Sequence, residues 1–152
     1  MVGAEDAGAL GQGLLMQFDR LGVSARQPGI DELLAEPQSV LEGYLAHGGP
    51  RLDHVPTDRA YYTPSNDRIV LPLRTQFKSP GHLCETGSQE AVHSTGHPSR
   101  LDRPGIAEFD HFDRGKYARG ELIAQIGAAM LLAEPGVDEP GLFDNSAAYL
   151  QS

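Results

Sequence analysis

The chain holds a single cysteine, Cys84. No intramolecular disulfide can form, and a structural zinc site built on cysteine thiolates is excluded. One thiol fits a reducing compartment and reads as a packed, structural side chain. Basic residues are also scarce: 12 Lys and Arg stand against 21 Asp and Glu, a formal charge of -9. Such a chain lacks the positive surface that a free-standing nucleic-acid binder shows, and its charge favours solubility and a cationic partner. Long apolar runs are missing. The opening "MVGAEDAGALGQGLLMQFDRLG" has neither the basic start of a signal peptide nor the length of a membrane span, so the expectation is a cytoplasmic protein with no membrane association. Two motifs are absent as well. No Gly-x-Ser-x-Gly elbow surrounds Ser88, which leaves a serine nucleophile unsupported. The acidic run "EFDHFDR" lacks the register of a calcium loop and reads as a solvated connection.

What is present suits one α+β domain of ordinary size, with 18 Gly and 11 Pro implying many turns. Apolar spacing predicts a helix over residues 5–21. It predicts a short helix over 30–35 stopped by Pro37, and another around Val40, Leu41, Tyr44 and Leu45. "RAYYTPSNDRIVLP" is the clearest strand signal: two apolar runs around the turn residues "TPSND", ended by Pro72, predict an antiparallel hairpin over about 59–71. Tyr61 and Tyr62 alternate across it, so one faces the core and the other the surface or a cleft. A helix is expected over 85–94, ending at Gly96. A second is expected over 117–132, with Leu122, Ile123, Ile126, Ala129, Met130 and Ala133 as its apolar face. Gly127, Ala128 and Ala129 would let a neighbouring helix come close. A last helix begins near 144 and looks short of partners, as if the chain were truncated.

"SQEAVHSTGH" carries the chemistry. In a zinc helix of the His-Glu-x-x-His type, two imidazoles one turn apart bind one ion, and the Glu between them takes the proton from the metal-bound water. Here Glu90 and His93 stand in register, but Gln89 occupies the first-ligand position. An amide oxygen is a weak zinc ligand beside imidazole. Glu121, on a separate helix, can bring a carboxylate to the same point, and His97 lies one turn beyond His93. Taken alone, a Glu and a His three residues apart on a helix are also met by chance as ordinary exposed residues.

The surrounding segments are more specific. "DRAYYTPSNDRIVLP", "QEAVHSTGHPSRLDR", "YARGELIAQIGAAML" and "NSAAYLQS", in this order and spacing, resemble the zincin-like metallopeptidase domain of ArdC-type antirestriction proteins and of the polyvalent proteins of phages and plasmids. The resemblance covers about residues 47–152 and leaves 1–46 as a helical segment or remnant linker. It implies a zincin-like fold in which a small sheet packs against the active-site helix and a second metal-facing helix. It further implies one zinc ion, held by His93 and Glu121 with Gln89 or His97 as possible further contacts. Glu90 would be the general base, Tyr61 and Tyr62 would line the cleft, and the hairpin edge would align an extended peptide substrate. Arg100 and Tyr117 match family positions without an assigned role. Family members carry DNA binding on a separate N-terminal domain, which residues 1–46 are too few and too acidic to supply. Three departures, at Gln89, Gly120 and Gln125, fall in the metal-facing segments and imply weakened zinc binding. The expectations are therefore a degenerate metallopeptidase or, alternatively, a non-catalytic acidic interaction protein that engages a restriction enzyme or host factor.

Overall fold

The computed structural model describes residues 29–104, 114–137, 139–142 and 144. The expected helices over 5–21 and beyond 144, and the run "EFDHFDR", lie outside or largely outside them. The first element, α1, spans Ile30–Ala46 as one helix. Pro37 does not stop it, contrary to the sequence expectation. A proline inside a helix forfeits one backbone hydrogen bond. Here Pro37 is buried beside the fully buried Leu34, so packing of that face offsets the loss. Glu32 reaches back to the Gly29 N–H at 3.3 Å and satisfies one of the free donors at the helix start.

Three strands follow: β1 (Arg51–Val55), β2 (Tyr61–Thr63) and β3 (Arg68–Pro72). The expected hairpin is present as β2 and β3, paired antiparallel with Tyr62 opposite Ile69. Its turn is a short 3-10 segment, Pro64–Asn66, closed by Asp67 in the left-handed region at φ 47°. Aspartate tolerates that conformation better than most residues. The sequence reading missed β1, which runs parallel to β3 and makes the sheet order β1-β3-β2. Tyr62 faces the core with Ile69, whereas Tyr61 points away and is 47% exposed.

The next helix, α2 (Pro80–Thr95), starts five residues earlier than its sequence suggests. Ser79 caps it by accepting the His82 N–H at 3.2 Å, and Pro80 sits where its missing N–H costs nothing. Glu139 accepts a hydrogen bond from the Ser79 hydroxyl and so fastens the segment after the last helix to this end of α2. Gly81 permits the contact, because a Cβ there would stand 2.2 Å from the Glu139 carboxylate.

The last described helix, α3, runs Arg114–Ala133 and lies antiparallel to α2. His93 meets Glu121, Val92 meets Gly127, and Cys84 shares a core with Leu132. Its buried face is Ala124, Ala128 and Leu132, while Ile126 and Met130 are 46% and 69% exposed. The expected apolar face was therefore misplaced. Helices approach closely where side chains are small, and that closeness draws the alanine stripe inward in preference to the larger residues. Gly127→Val would overpack a position where one added carbon already lies 2.9 Å from Val92 Cγ2. It is expected to cost about 2 kcal/mol in urea unfolding, whereas Met130→Lys should stay within about 0.5 kcal/mol.

Two core clusters hold the elements together. One joins Leu34, Cys84, Leu132, Val137 and Leu142; the other joins Ile69, Leu71 and Ala91 with Leu41, Tyr44 and Leu45 around them. α1 contributes to both, its first half to one and its second half to the other. The fold is α+β, with the sheet and α3 packed against α2.

Candidate functional site

α2 places Glu90 and His93 one turn apart, and the antiparallel seam brings Glu121 of α3 to the same place. His93 Nε2 lies 3.4 Å from Glu121 Oε1, with both side chains largely buried. Glu90 feels both neighbours. Burial chiefly raises its carboxyl above the ordinary range; His93 pulls it down, Glu121 pushes it up, and a hydrogen bond from the Tyr62 backbone N–H lowers it. Three of the residues singled out from the sequence thus converge.

The others go elsewhere. Gln89 turns back along its own helix, where its Nε2 lies 3.4 Å from Glu85 Oε1. Glu85 is 8% exposed, and burial, with the Asp144 charge nearby, pushes its carboxyl up to about 7. His97 is folded onto the turn after α2: its Nδ1 accepts the Ser99 N–H at 3.2 Å and lies 2.7 Å from the Ser99 hydroxyl. The phenol of Tyr62 donates to Asp67 at 2.8 Å. That contact, together with burial as the larger cause, raises its pKa far above the usual tyrosine value. Tyr61 is exposed on the opposite face of the sheet. The side chain of Tyr117 lies outside the description.

Sequence reasoning missed the clamp at the end of α2. Arg100 donates through both terminal nitrogens to Asp67, through Nε to the Ser94 carbonyl at 2.8 Å, and through Nη1 to the Gly48 carbonyl at 3.1 Å. The guanidinium holds the Asp67 carboxyl below its ordinary range. Arg103 adds a bond to the Val92 carbonyl at 2.7 Å and another to Thr95 Oγ1 at 2.7 Å. These contacts fasten the hairpin turn and the last turn of α2 together. Arg100→Ala would strip a partly buried carboxylate of its cationic partner and the Ser94 and Gly48 carbonyls of one donor each. It is expected to destabilise the chain by about 3 kcal/mol, read from the denaturation midpoint. The "SND" turn and the arginine are visible in the sequence, but they are 33 residues apart, and no local pattern joins them.

A family model described as zincin-like metallopeptidase matches residues 39–152. The chain belongs to this family. Two curated Escherichia coli proteins named DNA primase TraC are 42% and 40% identical to it over 113 residues, 73% of this chain. The match covers only 10% and 7% of their own lengths. The zincin-like chain is also similar to crystal structures of the antirestriction protein ArdC from plasmid R388. The Mn(II)-bound form is 42% identical, with a TM-score of 0.57 over 74% of this chain and 40% of that one. The metal-free form is 39% identical, with the same TM-score over 86% and 43%.

A catalytic zincin centre uses three protein donors and an open position. Among the described residues no group of three His, Cys, Asp or Glu side chains can hold one ion. His93 and Glu121 supply one imidazole and one carboxylate, and the Gln89 amide is turned to Glu85. On α3, the Gln125 Oε1 is sealed from solvent without a donor. The donor set falls one ligand short and does not fit a tightly held metal ion.

Proposed function

We propose that this chain is an ArdC-type zincin module that has exchanged tight metal binding and peptide hydrolysis for a binding role toward another protein. The observation that carries the reading is the Gln89–Glu85 contact. The residue at the first-ligand position is neutral and turns along its own helix to Glu85. The acidic surface, with a formal charge of -9, favours a cationic face on the partner. A restriction enzyme or host factor is the partner class suggested by the ArdC likeness.

Metal content tests the reading. Purified protein is expected to carry far less than one zinc or manganese per chain, and its melting temperature should not change in chelator. A stoichiometric metal that His93→Ala removes would overturn it. Such a result would instead support a hydrolytic reading, in which Glu90 serves as base beside a divalent ion on His93 and Glu121. The convergence of these three side chains and the Mn(II) in the ArdC relative favour that second reading.

No described helix is long and apolar enough to cross a membrane. A cytoplasmic site of action and a peptide or protein as the bound species remain part of this proposal. DNA binding would belong to a separate domain.

A further inference from the structure

We propose that two copies of this chain associate through the outward face of α3, laid antiparallel. α3 buries Ala124, Ala128 and Leu132 against the core. At 3.6 residues per turn, Arg119, Leu122, Ile123, Ile126, Met130 and Ala133 then share the opposite side. Ile126 and Met130 are 46% and 69% exposed, Leu122 and Ile123 are partly exposed, and Ala133 is open to solvent. Single apolar residues are ordinary on a monomer's surface, whereas a continuous apolar stripe marks contact with another surface. The stripe stands apart from the His93–Glu121 pair, which lies in the seam between α2 and α3.

Charge identifies the occupant. The stripe begins at Arg119 and is followed by Glu134, both exposed and about 22 Å apart along the helix axis. No ion pair joins either of them to another described residue. Glu134 comes directly after the last residue of α3, where a carboxylate opposes the dipole of its own helix. A second α3 running the other way satisfies both charges at once. With a two-fold axis at Ile126–Gly127, Arg119 of each copy stands level with Glu134 of the other, Ile123 with Met130, and Ile126 beside its own counterpart. Such a contact closes on itself and forms a dimer, not a filament. α3 carries three bases against one acid in a chain of formal charge -9, so two copies repel one another less here than the total charge implies. The stripe is far smaller than the roughly 20–30 residues a side of a standard interface, and the dimer is correspondingly weak, with a Kd on the order of 10–100 µM. In a dilute unfolding experiment the copies stand apart, which is why Met130→Lys costs the fold itself little.

Sedimentation equilibrium of the full chain from about 5 µM to about 500 µM, a range that brackets this Kd, tests the proposal. The wild-type mass is expected to climb from monomer toward dimer. Met130→Lys and, independently, Ile126→Asp should hold the chain at monomer mass throughout, with unchanged circular dichroism. Arg119→Glu alone and Glu134→Arg alone should each weaken association about tenfold, because each sets like charges opposite one another at two symmetric places. Combining the two reverses both ends together and should restore wild-type association. A wild-type chain of one mass throughout overturns the proposal and leaves the stripe to another segment of the chain or to a different protein. Association that survives Met130→Lys overturns it as well. So does a double variant no tighter than either single one, since the antiparallel register requires the rescue.

Discussion

Gln89→His is expected to raise the affinity for Zn²⁺ or Mn²⁺ about a hundredfold or more over the wild-type chain. Structural zinc sites gain roughly 10–16 kcal/mol over four ligands, or about 3 kcal/mol for each, and that amount corresponds to roughly two powers of ten in affinity. The second ligand and the carboxylate already converge, since His93 and Glu121 stand 3.4 Å apart. An imidazole one turn before His93 would project from the same side of α2. The new ring would also withdraw the amide donor from Glu85, which then loses its hydrogen bond from residue 89. A ligating histidine needs an acceptor for its other nitrogen, and such outer partners are worth roughly 10–100-fold in affinity. Gln125, with a buried Oε1 that has no donor, sits on the facing helix one turn beyond Glu121. Converting it to glutamate in the Gln89→His background is expected to strengthen binding further. Calorimetric titration reads both steps, and a metal-dependent rise in melting temperature gives an independent measure. No detectable binding by Gln89→His would mean that the imidazole–carboxylate pair is not aimed at a common point.

Stability should fall by about 3 kcal/mol between pH 4.5 and pH 7.5, and most of that loss should vanish in Glu85→Gln. The Glu85 carboxyl sits at about 7 in the folded chain against an ordinary value of 4.5. The folded state therefore binds the proton more tightly than the unfolded chain does. That contribution is fully present below pH 4.5 and is lost as pH rises through 7. The cause is burial first and the Asp144 charge second, neither of which survives unfolding. Glu90 is raised as well, chiefly by burial, and its contribution has the same sign. The difference between wild type and Glu85→Gln isolates the one residue. Asp67 is shifted downward by Arg100; its stabilisation is lost as pH falls below the ordinary carboxylate range, in a separate window. Urea midpoints at half-unit pH intervals measure the difference. Parallel curves for the two proteins would show that Glu85 is not held in a proton-favouring site.

The sequence exposed those parts of the fold whose causes are local. The hairpin was readable because "TPSND" is turn chemistry between two apolar runs. The Glu90–His93 spacing was readable because one helical turn is a sequence distance. Glu121 could be offered as a carboxylate on a separate helix, but no local feature ties it to position 93, and only the resemblance matched the two. Pro37 misled because a proline's local cost is visible and its burial is not. The apolar face of α3 was misplaced because hydrophobicity ranks Ile126 and Met130 above alanine, whereas close helix contact at Gly127 selects for small size. β1 was missed because "RLDHV" carries two charged residues, and it becomes a strand through its pairing with β3. Glu85 passed unnoticed as an ordinary helix acid; its burial and the nearby Asp144 charge are tertiary features. The Asp67–Arg100 clamp is a tertiary contact with no periodic signal.

That clamp grips the last turn of α2 and uses no side chain at 89 or 125. Arginine side chains at 100 and 103 secure the helix end and the turn without using any atom from the middle of the helix. Substitutions at positions 89 and 125 therefore leave that fastening untouched. A lineage released from selection on chemistry could lose its ligands one by one while the scaffold stayed intact and available for another use.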